Sequence, residues 1–245
     1  MIKALSSIAI FLIIALQSAS AVRQNGPKLI LTDCSIQGFT GKAKCGTFEV
    51  YENRATKKGR TITLKIILIP ATGDTREPDP FVYFAGGPGS AATEDASGLA
   101  QAFPRILAHH DMLFVDQRGT GGSHPLDCKF YDDADLQTYL GYFFPIEDVR
   151  KCREQLETNS DLKQYVTTIA ADDMDEVRAA LGYERLNLFG GSYGTRAALT
   201  YLKRHPQHVR TAILQGVSPA DHFMPGDFPV QTERALHGSS RRMFS

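Results

Sequence analysis

The stretch "LNLFGGSYGTRAALTYL", residues 186–202, decides the fold class of this chain. It begins as a short apolar run that is typical of a buried strand, and its second half places apolar residues at helical spacing. Ser192 lies at the junction, between Gly190 and Gly194. A strand that passes directly into a helix predicts a tight turn. Ser192 is then either an exposed functional side chain or only a small residue that suits the turn.

Gly190-x-Ser192-x-Gly194 has the G-x-S-x-G pattern of a nucleophile elbow, which exposes a serine hydroxyl at the end of a strand. The flanking positions must be small because neighbouring backbone passes close to them. The helix that follows directs its free N–H groups and its positive dipole end towards any oxyanion formed there. We therefore interpret Ser192 as a nucleophile, with a structural turn as the alternative.

Apolar runs of the same kind recur and predict the other strands of a sheet. Gly or Asp bounds them, as expected for strands buried on both faces of a parallel sheet, and they lie at 80–86, 110–119, 185–191 and 209–217. Two earlier segments, 46–52 and 61–70, predict an antiparallel pair. Helices are predicted over 98–110, 172–182 and 192–206. This alternation predicts an α/β fold, a mostly parallel sheet with helices on both faces, interrupted by an elaborated connection at 128–165.

Two more glycine-rich loops follow predicted strands. "FAGGPGS", 84–90, contains Gly86, Gly87 and Pro88, where an oxyanion-binding loop would lie. A plain turn is the alternative, and a phosphate loop is disfavoured because no Lys-Ser or Lys-Thr follows. "DQRGTGGSHP", 116–125, contains Asp116 and Arg118. We expect these two side chains to pair and brace the turn, as structural support rather than chemistry.

Taken in order, "GGPGS", "DQRGTGGS" and "GGSYG" resemble the proline iminopeptidase and tripeptidyl aminopeptidase family of α/β-hydrolases, over roughly residues 30–235. The resemblance implies a serine peptidase that removes residues from the free N-terminus of peptides, without a metal or organic cofactor. It implies Ser192 as nucleophile and the backbone N–H groups of Gly87 and Tyr193 as oxyanion hole. Ala85 departs from the histidine of many iminopeptidases. An esterase of the same fold, or a non-catalytic remnant or binding module, is the alternative.

The first 21 residues have the three regions of a secretory signal: Lys3, an apolar run over 8–16, and Ala19-Ser20-Ala21. The run is too short for a membrane span, although a retained anchor is the alternative. We expect a secreted or periplasmic protein without a stable membrane anchor. The formal net charge is +0, so neither nucleic acid nor an acidic lipid surface is expected as a partner.

An oxidising compartment permits disulfides between the cysteines at 34, 45, 128 and 152. Three pairings are open. We expect the sequential one, Cys34 with Cys45 and Cys128 with Cys152, because it closes two short loops. A zinc site is the alternative, but no pair has the C-x-x-C spacing.

The acid and histidine of a triad have no clear candidates. In this fold they follow the nucleophile in the order acid, histidine, and the resemblance places them beyond a cap domain. We therefore expect residues 22–236 to be the N-terminal part of a hydrolase domain, 237–245 an irregular tail, and the cap, last strands and C-terminal half to be missing. Such a sheet would expose an edge and aggregate.

Nearer histidines are poor substitutes for the missing base. His205 and His208 lie at the far end of the predicted helix, roughly 20 Å from Ser192 and out of hydrogen-bonding range. Asp221 and His222 follow the next strand and remain a geometric alternative. His237, in the polar end of the chain, is a weaker one.

Overall fold

The structure is a computed structural model that describes residues 29–130, 145–219, 221, 230 and 232–234. The predicted signal segment 1–21, the predicted tail 237–245, His222 and His237 lie outside the described residues. Among the residues that are described, no helix is both long enough and apolar enough to span a membrane.

Seven strands form one sheet, in the order β1-β2-β3-β5-β4-β6-β7. Their bounds are Thr32–Cys34 (β1), Ala43–Tyr51 (β2), Thr61–Ile69 (β3), Phe81–Phe84 (β4), Met112–Val115 (β5), Leu186–Gly191 (β6) and Val209–Gln215 (β7). β5, β4, β6 and β7 are parallel neighbours, whereas β1, β2, β3 and β5 pair antiparallel in turn. β2 therefore also points along the parallel group, so five of the seven strands share one direction.

The α-helices bounded within the described residues are Ala96–Ala102 (α1), Pro104–Leu107 (α2), Ile146–Glu157 (α3), Thr167–Leu181 (α4) and Tyr193–Arg204 (α5), and all of them except α3 contribute residues to the core clusters on the sheet. The helix predicted over 98–110 is two helices, because Pro104 has no N–H to continue the first one. α4 begins at Thr167, before the predicted start at 172, and ends at Gly182 in a left-handed conformation as expected. α3 lies in the segment 128–165, where no helix was predicted.

The core has two layers, one on each face of the sheet. Strand residues alternate between them: Val82 packs in the cluster that contains Val177 of α4 and Tyr201 of α5. Phe81, its neighbour, packs in the cluster that contains Ala100 of α1 and Leu107 of α2. Helices on both faces of the sheet are thereby confirmed.

β7 differs from the prediction of a strand buried on both faces. It pairs only with β6 among the described residues, and Ile213 is 51% exposed. The hydrogen-bonding groups on its outer side are those of a sheet edge.

Both predicted disulfides are confirmed. Cys34–Cys45 joins β1 to β2 with a Cα–Cα distance of 5.8 Å. Cys128–Cys152 joins the connection after β5 to α3, with a Cα–Cα distance of 5.9 Å. No cysteine is left free, so the alternative of a cysteine zinc site is wrong.

The expected pair between Asp116 and Arg118 is wrong, because each side chain has better-placed partners. Both side chains are buried. Arg118 meets the carboxylate of Asp173 with two bonds, from Nε at 2.6 Å and from Nη2 at 2.8 Å. Asp116 instead accepts from the N–H and hydroxyl of Thr93 and from the N–H of Gly122, at 2.8, 3.0 and 2.9 Å. The first set fixes the turn after β5 to α4, and the second fixes it to the loop after β4.

We expect Asp173→Asn to destabilise the fold by about 3–5 kcal/mol, because it leaves the buried Arg118 without a counter-charge. Glu176→Gln is the matched control. Glu176 binds the same Arg54 as Asp173 does, but its side chain is 41% exposed against 3% for Asp173. The control should cost less than about 1 kcal/mol. Urea unfolding of both variants measures the difference, and equal costs would contradict the structural role of Asp173.

Candidate active site

Ser192 lies at the sharp turn between β6 and α5 and is exposed. Its backbone angles are φ 52° and ψ −122°, a conformation that costs free energy for a residue with a side chain. Three bonds hold it there. The Ser192 N–H donates to the carbonyl of Gln215 at 2.9 Å, and the Ser192 carbonyl accepts from the N–H and hydroxyl of Thr195 at 2.9 and 2.6 Å. The strain is therefore imposed by the surrounding fold.

The two flanking glycines are required by close approach of backbone. A Cβ at Gly190 would lie 2.5 Å from the carbonyl oxygen of Gly194. A Cβ at Gly194 would collide with the carbonyl oxygen of Phe84, at the end of β4. The first contact closes the turn, and the second presses it against the neighbouring parallel strand.

The loop 84–90 lies beside the serine, as the sequence predicts. A Cβ at Gly86 would be 3.5 Å from the Cβ of Ser192 and 3.2 Å from the Gly191 carbonyl oxygen. Gly87 follows with φ 104° and is exposed. Tyr193 is the first residue of α5. The N–H of a first helical residue has no carbonyl acceptor within its own helix. The oxyanion role of Gly87 and Tyr193 stays a prediction.

A cavity of about 210 Å³ adjoins the elbow. Its walls come from the loop after β4, the turn after β5, the start of α4 and the first residue of α5; they include Pro88, Thr120, Leu126, Tyr165, Val166 and Tyr193. Burial and a 2.9 Å bond from its hydroxyl to Glu52 raise the pKa of Tyr165, which keeps it neutral. The Tyr193 hydroxyl is fixed by Thr167 at 2.6 Å. The cavity next to Tyr193 is thus largely apolar and has two ordered tyrosines in its walls.

The described part of the chain provides no base for Ser192. No hydrogen bond joins its hydroxyl to another described side chain, and a role for Asp221, an exposed turn residue, stays a prediction. His205 and His208 follow α5 at its far end, where they contact Asp172 and Asp175, so the prediction that they are out of range is confirmed. The triad acid and histidine are not among the residues that the structure brings to this site.

Two supporting residues were missed from the sequence. Thr195 bonds the Ser192 carbonyl, and its hydroxyl also accepts from the Ser218 N–H at 2.8 Å. Thr93 supplies two of the bonds that fix Asp116. Thr195 is the third residue of α5, and a hydroxyl in the first turn of a helix, which can bond to nearby backbone groups, is a recognisable signal. Thr93 gives no such signal, since its partner lies on another loop.

The family of this chain follows from its match to a model described as the alpha/beta hydrolase fold, over residues 79–245. The chain belongs to the α/β-hydrolases. It is 32% identical over 207 residues to serine protease Hip1 of Mycobacterium tuberculosis, a match that covers 79% of this chain and 38% of that protein.

Two further relatives are named aminopeptidases. A tripeptidyl aminopeptidase of Streptomyces lividans is 28% identical over 71% of this chain and 35% of its own length. A proline iminopeptidase of Neisseria gonorrhoeae is 28% identical over 59% of this chain and 35% of its own length. The predicted resemblance and fold are confirmed. The chain spans less than two fifths of each of these relatives.

Gly194→Ala should destabilise the fold by at least about 1–3 kcal/mol, because the new methyl group must displace the backbone of β4. Gly98→Ala is the control: that glycine lies in α1 with open space at its Cβ, and the change should stabilise by up to about 1 kcal/mol. Thermal unfolding of both variants tests this. A neutral Gly194→Ala would disprove the close contact between elbow and β4.

Proposed function

We propose that this chain carries the nucleophile and oxyanion hole of an exported serine peptidase that cleaves residues from the N-terminus of peptides. One observation carries the proposal. Ser192 is exposed in a strained conformation at the carboxyl end of a parallel strand, and the loop around Gly86 lies against it. A structural turn alone would not need an exposed side chain at φ 52°.

In the proposed reaction the Ser192 hydroxyl oxygen attacks the scissile carbonyl carbon and loses its proton to a base. The backbone N–H groups of Gly87 and Tyr193 stabilise the negative charge on the carbonyl oxygen. The tetrahedral intermediate expels the amine, and water hydrolyses the acyl-enzyme. The base and its orienting acid come from outside the described residues, either from further chain or from another subunit that supplies a C-terminal half.

The substrate class rests on the relatives and on the cavity. Two relatives are named for removal of N-terminal residues, and the apolar space beside Tyr193 suits an apolar side chain next to the scissile bond. The selection of a free N-terminal amine is assigned to the cap domain that the family resemblance implies. No metal or cofactor has a role in this reaction.

Export is supported by the two disulfides, which persist in oxidising compartments, together with the predicted signal in residues 1–21. We assign the protein to the periplasm or the exterior of the cell.

A fluorophosphonate probe tests the nucleophile. The full chain should be labelled at Ser192, slowly where no base is bound, because the backbone N–H groups of Gly87 and Tyr193 would stabilise the phosphonyl oxygen beside the hydroxyl. Ser192→Ala should abolish labelling. Ser97→Ala, on α1 and bonded to Gln101, should label like the wild type.

Two outcomes would overturn the proposal. Labelling that persists in Ser192→Ala would place the reactive group elsewhere. Absence of labelling in a chain shown to be folded by circular dichroism would favour a non-catalytic hydrolase-fold remnant or binding module. An esterase of this fold would be labelled equally, so labelled protein is then assayed on peptide and ester substrates.

A further inference from the structure

A cluster of metal-binding side chains lies at the end of α5 opposite Ser192. Asp175 comes from α4, His205 follows α5, and His208 ends the 3-10 helix Pro206–His208. One ligand atom from each lies within 4.8 Å of the other two, and all three residues are partly buried. We infer that this cluster binds a divalent transition-metal ion of the Zn²⁺ class, through the Asp175 carboxylate and the Nδ1 atoms of both histidines.

The orientation of His205 suits a metal ligand. Its Nε2 lies 2.9 Å from Oδ1 of Asp172, and Asp172 is also bound by Arg204. The other ring nitrogen, Nδ1, faces Oδ2 of Asp175, 3.7 Å away. One nitrogen of His205 is therefore bound to a carboxylate, and the other points into the cluster.

An ion placed between Nδ1 of His205 and the Asp175 carboxylate would be bound by both groups. A carboxylate bound to one nitrogen of a histidine, with the other nitrogen on the ion, is the usual support of a zinc ligand. Asp172 is placed to give His205 that support, so the cluster has an outer partner as well as three ligands.

His208 is the third member of the cluster. Its Nδ1 lies 2.7 Å from Oδ1 of Asp175, and its ring is nearly parallel to that of His205, at 10°. Nε2 of His208 lies 3.5 Å from Nη2 of Arg178, so Nδ1 is the nitrogen that faces the cluster. A histidine that ligates an ion must be deprotonated at the ligating nitrogen, so any proton on Nδ1 would pass to solvent when the ion binds.

The ligand types narrow the choice of ion. Two imidazoles and one carboxylate suit Zn²⁺, Co²⁺ or Ni²⁺, whereas Mg²⁺ and Ca²⁺ prefer oxygen ligands. Arg178 is also bound to Asp175, with its Nε 2.7 Å from Oδ1, and this positive charge opposes the ion. We therefore expect micromolar rather than nanomolar affinity.

The role of such an ion would be structural. It would join α4 to the segment that leads from α5 into β7, roughly 20 Å along α5 from the proposed nucleophile. The inference is independent of the proposed function, since neither histidine contacts Ser192 and the experiment below uses no substrate.

Calorimetric titration of the full chain with ZnCl₂ tests the site. The wild type should bind one ion per chain. His205→Asn and His208→Asn should each weaken binding at least tenfold. His109→Asn is the control, because His109 is an exposed histidine that bonds to Thr75 and is not a member of the cluster, and this variant should bind Zn²⁺ like the wild type.

Asp172→Asn keeps all three ligands and should weaken Zn²⁺ binding by about 10–100-fold, the usual effect of losing an outer partner. Circular dichroism shows whether the histidine variants fold. If they do not, Zn²⁺ binding by Asp172→Asn alone tests the site. The inference is overturned if the folded wild type binds no stoichiometric Zn²⁺. It is equally overturned if the Asp172 and histidine variants bind as tightly as the wild type.

Discussion

The site depends on one steric contact, the packing of Gly194 against the carbonyl oxygen of Phe84. This contact sets the first turn of α5 directly on the end of β4, so the helix begins without a linker. At this junction Ser192 has a positive φ of 52°, and its side chain is exposed. The sharp turn that exposes the serine thus depends on two glycines without side chains, Gly190 before it and Gly194 after it.

Buried charged side chains fix the positions of the loops that surround the serine. Arg118 connects the turn after β5 to α4 through Asp173, and it also donates to the Glu52 carbonyl after β2 at 2.7 Å. Asp116 connects the same turn to Thr93, after the loop that contains Gly86. These buried bonds therefore connect three loops from separate parts of the chain to one another. Charges of this kind stabilise only when every partner is present.

The parts of the fold that were predictable from the sequence are those set by local sterics. The pattern around Ser192, the paired strands β2 and β3, and the short disulfide loops are all read from neighbouring residues. The apolar periodicity of 98–110 predicts a single helix, but the missing N–H of Pro104 divides this segment into α1 and α2.

Long-range pairing was not predictable from neighbouring residues. Arg118 and Asp116 are two residues apart, yet Arg118 binds a carboxylate on α4 and Asp116 binds the threonine of another loop. Likewise, nothing local connects Asp175 with two histidines thirty residues later; the packing of α4 on α5 brings them together. The apolar composition of β7 correctly predicts a strand. The prediction that both of its faces are buried is wrong, because most of its residues are exposed.

The two outermost strands among the described residues are held differently. β1 is covalently tied to β2, whereas β7 pairs with β6 through backbone bonds. Gln215, the last residue of β7, is also the residue whose carbonyl holds the Ser192 N–H. Loss of the pairing between β6 and β7 would therefore release this N–H and relax the backbone at Ser192, so the conformation of the candidate nucleophile is coupled to the docking of a single strand.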